Sequence, residues 1–336
     1  MKIAADVVTN RVNAHSNIFD NNTFKKAMVN SVTYSQKIDN KRIKADRSAP
    51  IGVFDSGIGG LSVYLHLAQQ LSDERYIYYA DTLHVPYGNR DSEDIKALTL
   101  AAVDWLYQQG CKLIVIACNS ASADALEIAR NHYPQLPIVG LVPALKPAVL
   151  ASKSGHVAVL ATKATLNGTL LNDVIAKIAS PSATRVTKYF DPQLVPWVES
   201  GMPENSETAQ NLRHQLQVFA KDGVDQLVLG CTHYPFFKDF VMQEIKEQKL
   251  SMQVVDSGQA IAERVKQLLI ANNLSALPID GLDRNSVVDV SLSDHQIKPP
   301  LIFYATKYDK QIDLLLSRLL GEQTHLQYSC YNPVVY

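Results

Sequence analysis

Residues 113–123 have the sequence Leu113-Ile-Val-Ile-Ala-Cys-Asn-Ser-Ala-Ser-Ala123. The β-branched run at 113–116 predicts a strand buried on both faces, and the small polar residues after it open a helix-forming segment. Cys118 therefore lies where strand gives way to helix. In an open α/β sheet this is the crevice outside the carboxyl ends of the strands, where ligands bind.

Residues 226–235, Gln226-Leu-Val-Leu-Gly-Cys-Thr-His-Tyr-Pro235, repeat this design. An apolar strand again ends at a cysteine, Cys231, and polar residues follow it. Upstream, the strand and loop at 51–60 correspond to those at 157–165. These two correspondences predict two related α/β halves that face each other across a cleft, each contributing one thiol.

Length and composition limit the class of protein. The 336 residues, 46% of them hydrophobic, are enough for two ordinary domains with their own cores. A formal net charge of −1 suggests neither nucleic acid nor a membrane as a partner. No apolar run approaches the roughly 18 residues of a membrane span, and no signal peptide is recognisable. We therefore expect a cytoplasmic protein with reduced cysteines.

The remaining chain follows an alternating strand and helix pattern. Residues 1–49 are polar and without a sustained period, which predicts a mobile extension. Pro143 and Pro147 mark a predicted crossing between domains, and residues 274–300 read as a loop. Further strands are predicted at 51–54, 76–80, 136–142, 157–160, 185–190, 251–255 and 301–304, and helices are predicted to begin near 61, 92, 207, 235 and 311.

The two strand-end cysteines carry the predicted chemistry. A thiol is a base only as thiolate, and its ordinary pKa of about 8.5 falls at a helix N-terminus or beside a cation. We expect a helix after both cysteines, with His233 assisting Cys231 and Asp55, at a neighbouring strand end, serving Cys118. One thiol on each face of a carbon is what stereochemical inversion needs, because one removes a proton and the other delivers one.

Other thiol chemistries fit less well. A phosphatase loop places Arg six positions after its Cys, where this chain has Asp124 and Phe237. A Cys-His hydrolase needs one nucleophile and leaves the second cysteine unexplained. A metal site built from Cys118, Cys231, His233 and Asp55 has suitable ligand types but no local spacing to support it. Cys111 and Cys330 are interpreted as small hydrophobic residues.

The turn Asp55-Ser-Gly-Ile-Gly-Gly60 follows the first strand. Its glycines allow close backbone approach and leave free N–H groups at a helix start, which favours an anion. Glycine-rich turns also bind nucleotides, but neither a Gly-x-Gly-x-x-Gly pattern nor a phosphate-loop lysine is present.

Four segments together resemble the hallmark segments of glutamate racemases. They are Phe54-Asp-Ser-Gly-Ile-Gly-Gly-Leu-Ser-Val63, Asp81-Thr-Leu-His-Val-Pro-Tyr-Gly88, Ile116-Ala-Cys-Asn-Ser-Ala-Ser122 and Leu229-Gly-Cys-Thr-His-Tyr-Pro235. Residues 142–148, 195–199 and 255–258 resemble lesser segments of that family. The resemblance runs from about residue 51 to 255 and more faintly to the end, and it leaves out the extension before residue 51.

The resemblance implies a cofactor-independent, metal-free enzyme that interconverts L- and D-glutamate and supplies D-glutamate for peptidoglycan, and so for cell wall biogenesis and cell shape. It implies that Cys118 takes the α-proton of D-glutamate and Cys231 that of L-glutamate, supported by Asp55 and His233, with Glu199 a further acidic residue. The implied substrate contacts are Asp55, Ser56, Pro86, Tyr87, Gly88, Asn119, Ser120, Thr162, Thr165, Thr232 and His233.

This chain departs from the family pattern at three positions. Ser120 replaces the usual Thr and keeps the hydroxyl. Gly168 and Leu171 stand where a helix usually opens with Ser and Tyr, so contacts from that helix are in question. The N-terminal extension is similar to that of members activated by UDP-N-acetylmuramoyl-alanine, and families of this kind form homodimers.

Sequence and resemblance together predict two flavodoxin-like, three-layer α/β domains related by pseudo-twofold symmetry, with the active site in the cleft between them. Residues 50–143 with 256–336 form the Cys118 domain, residues 144–255 form the Cys231 domain, and residues 1–49 form the extension. The alternatives are a racemase or isomerase of another acid, such as aspartate or maleate, and a non-catalytic regulatory protein on the same fold. Hydantoin-like substrates fit less well, since the polar loops match a dianion.

Overall fold

The structure is a computed structural model that describes residues 46–277, residues 301–320 and the backbone of 328–331. Most of the predicted N-terminal extension, most of the predicted loop at 274–300 and the side chain of Cys330 lie outside the described residues. The described residues belong to one compact unit. No helix in the described ranges is long and apolar enough to cross a membrane.

Strands and helices alternate along the described chain. The strands are β1 (Ile51–Asp55), β2 (Tyr76–Ala80), β3 (Leu113–Ile116), β4 (Ile138–Gly140), β5 (His156–Ala161), β6 (Arg185–Tyr189), β7 (Gln226–Gly230), β8 (Gln253–Val255), β9 (Leu301–Ala305) and β10 (Tyr328–Tyr331). The α-helices are α1 (Leu61–Gln70), α2 (Ser92–Gln108), α3 (Asn119–His132), α4 (Leu145–Ala151), α5 (Lys163–Asn167), α6 (Thr169–Val174), α7 (Leu194–Glu199), α8 (Glu207–Lys221), α9 (Lys238–Glu247), α10 (Gly258–Ala271) and α11 (Lys310–Leu320).

The strands form two parallel sheets, as the sequence predicts. Within the described residues, the first sheet has the order β10-β9-β2-β1-β3-β4 and the second the order β6-β5-β7-β8. The second sheet therefore repeats the β2-β1-β3-β4 portion of the first, strand for strand. This equivalence confirms the correspondence of β1 with β5, and of the strand before Cys118 with the strand before Cys231. The domain boundaries and the pseudo-twofold axis stay predictions.

Each sheet is covered by helices on both faces, which confirms the three-layer α/β class. In β1, Val53 packs with α1, α10 and α11, whereas its neighbour Phe54 packs with α2 and α3. In β5, Leu160 packs with α7, α8 and α9, and Val159 packs with α4, α5 and α6. Successive side chains of a strand point to opposite faces, so strands buried on both faces must be apolar throughout.

Two helices add detail that the sequence prediction lacked. Pro147, which with Pro143 marks the predicted crossing between domains, lies in the first turn of α4, where its missing N–H has no helical partner to lose. The segment 258–271, for which no helix was predicted, forms α10 and buries Ile261, Val265 and Leu269. Their four-residue spacing is a helical signal that the sequence contains.

Candidate active site

The site lies where the strand order of each sheet reverses. In the first sheet the chain proceeds from β1 to β2 on one side and then to β3 on the other, so the carboxyl ends of β1 and β3 flank a topological switch point. The ends of β5 and β7 flank the equivalent point of the second sheet. Residues after all four strand ends line one shared cavity.

The cavity contains most of the predicted substrate contacts and both thiols. Its volume is about 30 Å³. One buried water needs about 10–15 Å³ on the same measure, so the cavity has room for two or three waters. Its lining consists of Ser56, Val85, Pro86, Tyr87, Gly88, Cys118, Asn119, Ser120, Thr162, Val195, Cys231, Thr232 and His233. Three predicted site residues, Asp55, Thr165 and Glu199, lie behind this lining and contact it.

Cys118 is the N-cap of α3. Its Sγ accepts a hydrogen bond from the N–H of Ala121 at 3.5 Å and lies 3.5 Å from Ser56 Oγ. Burial, together with the nearby charge of Asp55, raises the pKa of the thiol to about 12, and the contacts from Ala121 and Ser56 do not offset this. The expectation of a lowered pKa is therefore wrong for Cys118, because desolvation outweighs the helix N-terminus.

Cys231 belongs to a chain of polar groups instead of an α-helix N-terminus. A 3₁₀ turn over Tyr234–Phe237 follows it, and α9 begins only at Lys238. The prediction that Cys231 lies at the N-terminus of an α-helix is therefore wrong. The polar partner of its sulfur is the imidazole of His233 instead. The Sγ of Cys231 lies 4.0 Å from His233 Nδ1, and His233 Nε2 lies 3.2 Å from Glu199 Oε1.

His233 carries a proton in this setting. Its burial opposes the charged form, but the contacts with Cys231 and Glu199 outweigh burial and raise its pKa to about 10. A cation thus lies beside the Cys231 sulfur, which is the partner that a thiolate needs. The two halves of the site therefore differ: the Cys118 thiol stays protonated, whereas Cys231 faces an imidazolium.

Asp55 connects the two halves. Its carboxylate is fully buried, accepts a hydrogen bond from the N–H of Gly57 at 2.8 Å and accepts another from Thr232 Oγ1 at 3.1 Å. Burial raises the pKa of this carboxyl, while His233, Gly57 and Thr232 oppose the rise. Its carboxylate thus accepts hydrogen bonds from its own turn and from the loop after β7, and it acts on Cys118 through its charge.

Hydroxyl groups join the ends of β3 and β5. Ser120 Oγ and Thr162 Oγ1 lie 2.9 Å apart, and Thr162 Oγ1 lies 2.9 Å from Thr165 Oγ1. Thr165 is on α5, not in the predicted loop. The amide nitrogen of Asn119 is buried and lacks a hydrogen-bond partner among the described residues. A donor aimed into the lining without a partner is suited to a ligand oxygen.

The two departures on the following helices have a packing explanation. A methyl group on Gly168 would lie 2.6 Å from the Cβ of Ala123 on α3, so a side chain there would separate the two helices. Leu171 is buried in the core of the second sheet. Neither residue lines the cavity. These two positions, where the resemblance predicts Ser and Tyr, therefore give the cavity no side-chain group.

Three residues of the site were not predicted as such. Val85 and Val195 line the cavity, and apolar side chains give no sequence signal of this role. Asp81 accepts hydrogen bonds from Tyr87 at 2.6 Å and from Thr306 at 2.9 Å. Its place at the end of β2 is a signal that sequence reasoning could have used, because polar residues at strand ends face the crevice.

Two parallel α/β sheets, each with a buried thiol at its switch point, define the class of this protein: an α/β protein with a two-cysteine site in one shared cavity. The two sulfurs are near enough for the charge of Cys231 to add, as the smallest contribution, to the raised pKa of Cys118. Within the described ranges, no group of three His, Cys, Asp or Glu side chains is arranged to hold a metal ion.

Comparison with known proteins identifies the family. The sequence matches the profile of the Asp/Glu/Hydantoin racemase family over residues 51–265, and the chain belongs to this family. The glutamate racemase of Deinococcus radiodurans is 50% identical over 245 residues, covering 73% of this chain and 82% of that protein. The glutamate racemase of Pseudomonas aeruginosa is 40% identical over 232 residues, covering 69% and 86%.

Solved structures agree with this assignment. A glutamate racemase isoform from Bacillus anthracis superposes with a TM-score of 0.70 at 25% identity, covering 86% of this chain and 100% of that chain. Escherichia coli glutamate racemase, in complex with L-glutamate and the activator UDP-MurNAc-Ala, superposes with a TM-score of 0.66 at 29% identity, covering 84% and 97%.

Proposed function

We propose that this protein is a glutamate racemase in which Cys231 and Cys118 exchange the α-proton of glutamate on opposite faces. Relatives and structural neighbours named as glutamate racemases support the activity. The observation that carries the mechanism is the single cavity lined by both sulfurs, one after β3 and one after β7.

Substrate binding rests mainly on neutral donors. The lining supplies the hydroxyls of Ser56, Ser120, Thr162 and Thr232, together with the amide of Asn119. Hydroxyl and N–H donors to a carboxylate make charge-assisted hydrogen bonds, which are about twice as strong as neutral ones. Lys146 and Lys163, the lysines nearest these segments in the sequence, are exposed and lie outside the lining. The protonated imidazole of His233 supplies positive charge inside the cavity.

In the L-to-D direction, Cys231 acts as the base. Its thiolate takes the α-proton, the electron pair of the C–H bond remains on the α-carbon and its carboxylate as a carbanionic intermediate, and the Cys118 thiol donates its proton to the opposite face. The pKa of about 12 at Cys118 keeps that thiol protonated before the reaction begins. The D-to-L direction requires the opposite protonation of the two sulfurs.

Turnover requires the cavity to open. Both thiols are buried, so glutamate reaches them only when the cavity walls move apart, whereas enclosure strengthens every hydrogen bond to the substrate by excluding water. We propose that the two halves separate to bind and release glutamate and close for proton transfer.

The remaining roles follow from the same assignment. We expect the enzyme to act in the cytoplasm, to provide D-glutamate for peptidoglycan and to form a homodimer. Because the Escherichia coli structure contains UDP-MurNAc-Ala as activator, we propose the same nucleotide as an activator here. A racemisation assay with and without it tests this point, and equal rates would argue against activation.

Solvent hydrogen exchange tests the mechanism. In D2O, deuterium should enter the α-carbon of glutamate as it racemises, and Cys118→Ala and Cys231→Ala should each abolish racemisation. Cys111→Ala is the matched control, since this buried cysteine lies in the first-sheet core outside the cavity, and it should retain activity. Substantial racemisation by either active-site variant would disprove the two-thiol scheme.

A substrate panel separates the alternatives. Turnover of aspartate or maleate in preference to glutamate would favour another acid as substrate. No turnover of any acidic substrate, with the thiols intact, would favour a regulatory protein on this fold.

A further inference from the structure

The turn after β1 contacts the loop that carries His233, although β1 belongs to the first sheet and this loop follows β7 of the second. Ser62, the second residue of α1, places its Oγ 2.8 Å from the carbonyl oxygen of Thr232 and 2.9 Å from that of Gly59. A hydroxyl has one proton, so the two carbonyl oxygens share it. Ser62 is buried, and it does not line the cavity that contains both thiols.

Gly59 lies directly against the imidazole. A methyl group built on it would be 2.4 Å from His233 Nδ1 and 2.6 Å from Thr232 Oγ1. Its φ is outside the left-handed region, so space, and not backbone conformation, requires glycine here. The backbone of the turn therefore forms a surface on which the ring of His233 rests.

The loop after β7 is held partly from its own half, by the backbone hydrogen bonds of its 3₁₀ turn and by the contact of His233 with Glu199. Cys231 is followed by a 3₁₀ turn, and the α-helix begins seven residues later, at Lys238. Cys118, in contrast, is fixed as the N-cap of α3. The opposite half adds three contacts to the Cys231–His233 loop. Ser62 donates to the Thr232 carbonyl, Asp55 accepts from the Thr232 hydroxyl, and Gly59 lies against the ring of His233.

We propose that Ser62 is a positioning residue for the Cys231–His233 pair, which its hydroxyl, together with the Gly59 backbone, holds from the other half of the site. Separation of the two halves would break all three contacts, so the pair acquires its working geometry only on closure. This inference rests on the proposed racemase function and extends it, because it makes closure a requirement for chemistry at one thiol.

Isotope effects can detect a defect at one thiol. L- and D-glutamate have equal free energy, so kcat/KM must be the same in both directions for any variant, and its value alone carries no directional information. A slower transfer at Cys231 makes removal of the α-proton from L-glutamate more rate-limiting. From D-glutamate, where Cys118 removes the proton, the later reprotonation by Cys231 becomes limiting instead.

The experiment measures kcat/KM with α-deuterated L- and D-glutamate. For Ser62→Ala we expect kcat/KM to fall about tenfold, because a buried hydrogen bond is lost and a reacting group is misplaced. The isotope effect should rise for L-glutamate and fall for D-glutamate. Gly59→Ala, which displaces the imidazole by a different route, should give the same pattern, and Ser62→Thr, which keeps the hydroxyl, should restore most of the activity.

Ser122→Ala is the matched control. Ser122 is a buried serine on α3 whose hydroxyl donates to the carbonyl of Ile116 and accepts from the N–H of Leu141, on the Cys118 side. The Ser122→Ala variant should not show the directional pattern, in which the isotope effect rises for L-glutamate and falls for D-glutamate.

Two results would overturn the inference: equal changes of both isotope effects in Ser62→Ala and Gly59→Ala, or the directional pattern in the Ser122→Ala control. Thermal unfolding of each variant shows which of them fold. If Ser62→Ala does not fold, the isotope effects of Gly59→Ala decide whether the inference holds. Failure of the proposed function is distinguishable, because the wild-type protein would then not racemise glutamate.

Discussion

Replacing Glu199 with Gln tests why His233 is charged. Glu199 Oε1 lies 3.2 Å from His233 Nε2, and the two side chains are 29% and 4% exposed. Gln keeps the shape and the acceptor oxygen of Glu but removes the negative charge. The substitution thus isolates electrostatics from packing.

The structure gives the size of the effect. The pKa of His233 rises from 6.5 to about 10, against the cost of burial, through Cys231 and Glu199 together. An opposite charge within 4–6 Å changes a pKa by about 1–3, and the partial exposure of Glu199 favours the lower end of this range. We therefore expect the pKa of His233 to fall by about one in Glu199→Gln, which corresponds to ~1 kcal/mol.

The sign of the pH dependence follows from linkage. Because the folded pKa of His233 is above the unfolded value, its stabilisation is fully present below pH 6.5 and is lost as pH rises through about 10. Glu199→Gln should be less stable than wild type by ~1 kcal/mol at pH 7, and this gap should close as pH approaches 10. Urea unfolding between pH 6 and 10.5 measures the gap. The alkaline limb of kcat/KM should move to lower pH by a similar amount.

A stability gap that does not change with pH, together with an unmoved alkaline limb, would refute this explanation of the His233 charge. Glu204→Gln is the matched control, since Glu204 is exposed. It should leave both the pH dependence of stability and the pH profile of activity as they are.

Three further predictions concern the walls of the site and the sheet beneath it. In Gly88→Ala the new methyl group would lie 2.9 Å from the Cβ of Thr162, so closure should cost about 1–3 kcal/mol and raise KM roughly 5- to 150-fold; an unchanged KM would contradict this. Asp81→Asn weakens the 2.6 Å hydrogen bond that Tyr87, a residue of the cavity lining, donates to Asp81. KM should therefore rise about tenfold with a smaller change in kcat. A loss confined to kcat would argue against a role of Tyr87 in substrate binding. Lys112→Met removes the cation from the buried carboxylate of Glu74, which keeps only the hydrogen bond from the N–H of Ala276. Urea unfolding should show a loss of about 3–5 kcal/mol, and a loss below about 1 kcal/mol would be inconsistent with a buried pair.

Local pattern was enough to predict the elements that present the site. The run Leu113–Ile116 is apolar at every position because helices cover both faces of β3, and the sequence predicted the bounds of this strand. The equivalence of the Cys118 and Cys231 segments was also visible, since each sheet repeats the same strand order. Eleven of the predicted site residues line the cavity. Eight of them follow within four residues the strands whose ends meet at the switch points, and Pro86, Tyr87 and Gly88 come from the loop after β2.

Relations between distant segments could not be predicted in the same way. Sequence reasoning assigned Asp55 to Cys118, yet its hydroxyl partner is Thr232, 177 residues away. It also expected a lowered pKa at Cys118, but complete burial raises the pKa to about 12. Burial of a strand end depends on what the rest of the chain places over it, and no local pattern records that.

The sequence by itself determined the two strand-end thiols and the α/β architecture that presents them, because strand and helix periodicity and polar strand ends are local properties of the chain. Tertiary structure alone decided which half of the site supports which thiol. The turn at Gly59 and Ser62 reaches the His233 loop of the other sheet, and the differing surroundings of the two sulfurs arise only when both sheets enclose one cavity. The reason is physical: desolvation and hydrogen bonding act through space, between groups that the chain order separates.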